Sequence, residues 1–156
     1  MSRSLAALAV LLPLALAACA GGPSGPQFAA VAATIPPPGA DKARLYFYRD
    51  YEPYESLSEP RIYLNGNEIG ASIPGGVFYR DVAPGRYLIS VDSVGIYWNQ
   101  FKTVELRAGE TDYVHIESLR SWDDGLEYEA DTFVVVVVDP PDGQRQIGPL
   151  RYVAGE

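Results

Sequence analysis

The chain has 156 residues, 47% of them apolar, and carries 12 basic against 20 acidic residues for a formal charge of −8. That is enough chain for one ordinary globular domain and too apolar for a disordered one. The acidic balance disfavours nucleic acid and anionic lipid head groups as partners, and a single cysteine excludes an internal disulfide.

Residues 1–18 read as an export signal. Met1-Ser2-Arg3-Ser4 supplies one positive charge, and residues 5–18 are apolar apart from Pro13. Fourteen residues are too few for a spanning helix, which needs about 20, so the run is a signal h-region. It ends in Leu16-Ala17-Ala18-Cys19, which resembles the site used by bacterial lipoprotein-processing enzymes. The resemblance implies cleavage between Ala18 and Cys19 and a lipid on the Cys19 sulfur. It also implies an outer-membrane destination facing the periplasm, because Ala20 rather than Asp follows the cysteine. The alternative is ordinary signal cleavage near Ala18, leaving a soluble periplasmic protein. Loss of Arg3 leaves 11 basic against 20 acidic residues, a charge of −9.

Residues 19–42 are rich in Gly, Pro and Ala, which disfavours regular structure. They are expected to form a tether spanning on the order of 25–30 Å, holding a domain clear of its membrane. One helical turn at Phe28-Ala-Ala-Val31 is the only structure anticipated there.

From residue 43 to residue 153, short runs of Val, Ile, Tyr and Phe alternate with Gly, Pro, Asn and Asp clusters, the strand signature. Strands are expected at 44–49, 61–65, 68–73, 77–82, 86–92, 101–106, 111–117 and 132–139, with a last short one near 150–153. Period-two alternation puts Leu45 and Phe47 on one face of the first strand, and Tyr46 and Tyr48 on the other. Asn65-Gly66-Asn67 suits a tight hairpin, and Gly70 a bulge. Ala83-Pro84-Gly85 reads as a type II turn pairing 77–82 with 86–92. Val114 and Ile116 are expected inward, with Tyr113, His115 and Glu117 outward. The run from Thr132 to Asp139 is apolar on both faces, so it reads as a central strand or an interface. Pro140-Pro141-Asp142-Gly143 stops it. The expected fold is all-β: a single antiparallel β-sandwich of about seven or eight strands, immunoglobulin- or transthyretin-like.

Three stretches carry a family likeness: Arg44-Leu-Tyr-Phe-Tyr-Arg49, Ile62-Tyr-Leu-Asn-Gly-Asn-Glu-Ile-Gly70 and Gly76-Val-Phe-Tyr-Arg-Asp-Val-Ala-Pro-Gly-Arg-Tyr87. Their order resembles domain of unknown function 2846, a bacterial family with many predicted lipoproteins. It is also similar to small transthyretin-like and PEGA-like extracytoplasmic sandwiches. The likeness spans roughly residues 43–119 and implies a fold but no activity.

No catalytic residue, metal site or cofactor is expected. His115, the only histidine, has no triad or zinc-ligand spacing around it and reads as a half-exposed strand residue. Asp123, Asp124, Glu127, Glu129 and Asp131 lack calcium-loop spacing and read as a solvated acidic loop, with a weak calcium site as the alternative. The 11 tyrosines are the unusual feature. Tyr46, Tyr48, Tyr97, Trp98 and Trp122 are candidate partner-binding aromatics, against the alternative of cross-strand pairs that stabilise the sheet. Arg49 and Arg80 read as structural partners of such rings. The expected function is therefore a non-enzymatic envelope module that is attached to a membrane through Cys19 and binds a protein or glycan. The alternatives are a passive structural lipoprotein and an enzyme with an unrecognised site.

Overall fold

The computed structural model describes residues 23–95, 100–120, 127 and 131–153. The expected signal segment, Ala18, Cys19, Tyr97, Trp98 and Trp122 lie outside the described residues, as do Asp123, Asp124 and Glu129. Strands β1 (Ala43–Tyr48), β2 (Arg61–Leu64), β3 (Asn67–Ala71), β4 (Gly76–Val82), β5 (Gly85–Val91), β6 (Phe101–Leu106), β7 (Thr111–Ser118), β8 (Phe133–Val138) and β9 (Arg151–Tyr152) form two sheets. A short helix α1 (Phe28–Val31) precedes them, and α2 (Pro140–Ile147) lies between β8 and β9. No helix among the described residues is long and apolar enough to cross a membrane.

The sheets run β8-β7-β1-β4-β9 and β3-β2-β5-β6. They face each other across a core that takes Leu45, Phe47, Val114, Ile116, Phe133 and Val135 from the first sheet and Ile62, Leu64, Ile89, Val91, Val104 and Leu106 from the second. The alternation in β1 thus reads correctly: Leu45 and Phe47 enter this core, while Tyr46 and Tyr48 enter a second apolar layer on the sheet's other face.

Pairing departs from an all-antiparallel sandwich. The four-stranded sheet is antiparallel throughout, but in the five-stranded sheet β1–β7 and β4–β9 run parallel. Nor do β4 and β5 form the expected hairpin. β4 pairs with β1 and β9, whereas β5 pairs with β2 and β6. Gly85 has φ 153°, extended enough to begin β5 and far from the value near +80° that a type II turn needs there. Pro84-Gly85 is therefore an arch between layers, and it lets Phe78 of β4 and Ile89 of β5 share one core. The hairpin with a two-residue turn is β2–β3. Asn65 and Gly66 both take positive φ, 52° and 78°, as its type I′ turn demands. The register shifts opposite Ile62 and Tyr63, the bulge expected at Gly70. A Cβ on Gly70 would lie 3.0 Å from the Phe78 ring.

The valine run is an edge strand, not a central one. Phe133 and Val135 fill the inter-sheet core, Val134 is buried on the opposite face, and only Val137 is substantially exposed. The segment expected merely to stop it forms helix α2. Proline is tolerated in the first helical turn, where its missing N–H leaves no bond unmade. Asp142 near the N-terminus and Arg145 in the last turn suit the helix dipole. Gly143 and Ile147, one turn apart, are its buried positions.

The tether expectation is corrected over residues 25–35. Phe28 is buried among Tyr46, Tyr48, Ile147 and Leu150. Its N–H donates to Leu150 O at 2.7 Å, and the Tyr152 N–H donates to Pro26 O at 2.8 Å. One large ring with a row of apolar neighbours outweighs the flexibility that Gly and Pro confer, because burying it is worth about 1.5–3 kcal/mol.

Candidate functional site

The site is built around Arg49, the residue after β1. Its side chain is 1% exposed. One guanidinium nitrogen, Nη1, donates to Ser58 O at 2.8 Å, Nη2 donates to Ser56 O, and the group lies 4.9 Å from the centre of the Phe133 ring. Nε is buried with no hydrogen-bond partner among the described residues. Burial lowers the Arg49 pKa, against the raising pull of Glu55, Asp131 and Glu59. A guanidinium nevertheless stays charged, so this cation holds loop 50–60 by two of its carbonyls.

The loop is tied further. The Ser56 hydroxyl donates to Asp131, and the Ser58 N–H donates to Ser56 Oγ at 3.0 Å. Hydrogen bonds from Ser56 and then Ser58 hold the Asp131 carboxyl below its ordinary value. Asp131 has φ 65°, a left-handed conformation that Asp tolerates better than most residues. Its carbonyl accepts from the Val94 N–H at 3.1 Å.

These contacts shape an open cavity of about 260 Å³ between Ser58 and Pro60, the segment Asp92–Val94, Asp131 and Phe133. Ser93 Oγ accepts from the Phe133 N–H at 2.8 Å and from Gln100 Nε2 at 2.9 Å, fixing the wall. Asp92 accepts from the Tyr63 hydroxyl at 3.2 Å. Its open lining is mostly apolar, from Pro60, Val94 and Phe133, while the Asp92 and Asp131 carboxylates are engaged by Tyr63 and Ser56. Among the described residues no cluster of three or more His, Cys, Asp or Glu could hold a metal ion.

The two outer faces of the sandwich differ. On the five-stranded sheet, register aligns Val138, Tyr113, Tyr46 and Tyr79 in one cross-strand row, and Val136, His115, Tyr48 and Val77 in the next. Tyr46 stacks on Tyr113 at 5.3 Å and meets Tyr79 edge-on at 5.8 Å. Arg44 pairs with Asp81 at 2.7 and 2.8 Å and lies 4.0 Å from the centre of the Tyr79 ring. The layer of α1, α2 and Leu150 covers this face. Tyr46 and Tyr48, candidates for partner contact, are 8% and 2% exposed. Each aromatic pair adds about 0.5–1.5 kcal/mol beyond burial, so turning these rings outward costs more than a surface contact returns. They are sheet-stabilising pairs.

On the four-stranded sheet no described element covers the outer face. Register places Glu68, Tyr63, Ser90 and Phe101 in one row. Small Ser90 sits between two aromatics, two strand spacings or about 10 Å apart. Phe101 is 56% exposed and nearby Leu88 44%. Sequence reading passed over both, because each is a single apolar residue in an otherwise polar face. Only the pairing of β2, β5 and β6 brings them together.

The geometry of Arg49, Gly70 and Arg80 accounts for the motifs quoted above. Arg49 closes β1, Arg80 lies 4.8 Å from the centre of the Phe78 ring, and the Asn-Gly turn joins β2 to β3. A family model described as a protein of unknown function (DUF2846) matches residues 39–125. The chain belongs to the DUF2846 family. No curated protein matches the chain. The DUF2846 match covers β1 to β7, so β8, α2 and β9 lie beyond it. Yet these elements supply Phe133 beneath Arg49 and the cover over the tyrosine rows.

His115 stands apart from the cavity. Its ring stacks on Tyr48 at 4.9 Å, its Nε2 is 3.5 Å from Asp50 Oδ2, and its side chain is 18% exposed. It is less exposed than the half-open strand position expected. Burial holds its pKa below the ordinary imidazole value, opposed by Asp50 and Glu117. The unfolded chain therefore binds more protons than the folded one just below about pH 6.5, and this contribution to stability is lost as pH falls through that window. We expect His115→Asn to lose less stability than the native chain between about pH 7.5 and about pH 5.5, as read from urea midpoints. Parallel losses in the two proteins would sink this assignment.

Proposed function

We propose that this DUF2846 protein is a non-enzymatic, lipid-anchored protein of a bacterial envelope, and that its sandwich docks a protein or glycan. In this reading Cys19, following Leu16-Ala17-Ala18, carries the lipid after cleavage at Ala18, and the domain faces the periplasm from the outer membrane. The likeness to transthyretin- and PEGA-type extracytoplasmic modules belongs to the same proposal.

The observation that carries the binding role is the asymmetry of the two outer faces. One is sealed by the chain's own helices. Among the described residues nothing covers the other, which leaves Leu88 and Phe101 exposed beside half-buried Tyr63. Exposed Phe101 and half-buried Tyr63 flanking small Ser90 give a ridge and slot for an extended polypeptide or a sugar ring. The mostly apolar cavity beside Asp92, whose carboxylate accepts from the Tyr63 hydroxyl, adds apolar contact area next to this row. A passive structural role is the second reading, favoured by how many tyrosines the sheet consumes internally.

The test places a photo-crosslinking residue at Phe101 in intact cells, with an equivalent probe at Arg145 on exposed α2 as control. A discrete adduct at Phe101 alone is expected. Mass analysis identifies it as protein or glycan, and identical background at both sites favours the passive reading.

A further inference from the structure

The docked N-terminal segment changes where the domain sits. Gly25 packs against β9 so closely that a Cβ there would lie 1.8 Å from Tyr152 O. Gln27 bridges Arg151, and the Ala29 N–H donates to Gly148 O at 3.1 Å. The chain is therefore fixed to the domain from about residue 25 onward. Upstream, Pro23 and Tyr51 both border Gly75: a Cβ on that glycine would lie 3.9 Å from Pro23 Cδ and 3.3 Å from Tyr51 Cβ. Only three residues lie between Cys19 and Pro23, four steps of chain with a reach of at most about 14 Å. A lipid on Cys19 thus holds the start of loop 50–60 against the head-group layer.

That loop is dressed for such a surface. Tyr51, Tyr54 and Leu57 are 55%, 88% and 65% exposed, although Arg49 fixes the backbone on either side of Leu57. Tyrosine suits the membrane–water boundary, where its ring is buried and its hydroxyl stays wet. Glu52, Glu55 and Glu59 alternate with these residues. They repel anionic lipids and complement an ammonium head group, which also binds over tyrosine faces.

We infer that loop 50–60 rests on the bilayer beside the anchor, with Tyr51, Tyr54 and Leu57 among head groups that carry an ammonium. The inference rests on the lipid-anchor reading of Cys19. It replaces a domain held 25–30 Å away on a free tether with one seated on the membrane.

The full chain is produced in its lipidated form with Leu57→Cys or, separately, Phe101→Cys. With Cys19 acylated, the introduced thiol is the only free one and takes a polarity-sensitive fluorophore. In vesicles of phosphatidylcholine and phosphatidylethanolamine, the probe at 57 should be several-fold less accessible to iodide than the probe at 101, and quenched by a lipid-borne nitroxide. Shielding at 57 should weaken in phosphatidylglycerol vesicles. Equal iodide access at both positions, with acyl mass present on Cys19, overturns the docking and leaves the anchor standing. Absence of acyl mass on Cys19 overturns both. Undiminished shielding in phosphatidylglycerol overturns the ammonium assignment.

Discussion

Arg49→Ala should destabilise the domain by about 3–5 kcal/mol, a large fraction of what an ordinary domain possesses. The substitution empties a fully buried volume and leaves the carbonyls of Ser56 and Ser58 without their donors. It also removes the cation from the Phe133 ring. Because Ser56 holds Asp131 and Asp131 holds Val94, the damage should spread from loop 50–60 to the cavity wall. Arg49→Lys separates charge from geometry. A single ammonium keeps the charge but cannot reproduce the planar fork that reaches two carbonyls, so its loss should be intermediate. Urea unfolding of the three proteins measures this. An Arg49→Ala midpoint within about 1 kcal/mol of native stability would falsify the role assigned to the guanidinium.

Gly143→Ala should cost about 3 kcal/mol net, against an intrinsic helix preference that favours alanine by about 1 kcal/mol. The added Cβ would lie 2.3 Å from Tyr113 Cγ and 2.4 Å from Tyr113 Cβ. Tyr113 has little freedom to retreat, because it stacks on Tyr46 within the covered row. Helix α2 must instead lift from β7, uncovering Ile147 and loosening the bond between the Tyr48 hydroxyl and Gln146. In the Tyr113→Gly background, which removes the Cβ as well as the ring, the same glycine substitution should be nearly neutral, because the obstacle is gone. A double-mutant cycle in chemical denaturation reads the coupling directly. Equal costs in the two backgrounds would locate the strain elsewhere.

Both predictions concern features that local sequence reports poorly. In the sequence Arg49 reads as a partner of nearby tyrosines, with no local sign that it is fully buried. Its burial depends on Phe133, 84 positions later, and on serine carbonyls in a polar loop. Gly143 sits in Pro-Pro-Asp-Gly, which resembles a chain stop. The α2 signal was present in the early prolines, Asp142 and the late Arg145, but eight residues with two buried positions give almost no apolar period. The open-face apolar side chains were likewise invisible, since Tyr63, Leu88 and Phe101 lie on three strands scattered through the sequence. Arg49 and Arg80 do lie against aromatic rings, but these are Phe133 and Phe78 rather than the tyrosines and tryptophans expected.

The sequence by itself determined the β-rich character, the strand positions, the Asn65-Gly66 hairpin and which residues of β1 share a face. These depend on properties within one or two turns of chain: β-branched and aromatic side chains favour strands, glycine and asparagine accept positive φ, and side chains alternate. Tertiary structure alone decided that β4 and β5 lie in different sheets, that β1 runs parallel to β7, that the valine run is an edge, and that Phe28 draws its segment onto the domain. Alternation tells a strand which face to bury but not which neighbour to pair with. Partner and direction are set by the apolar area that the two sheets and their covering helices bury together, a quantity that no short segment contains.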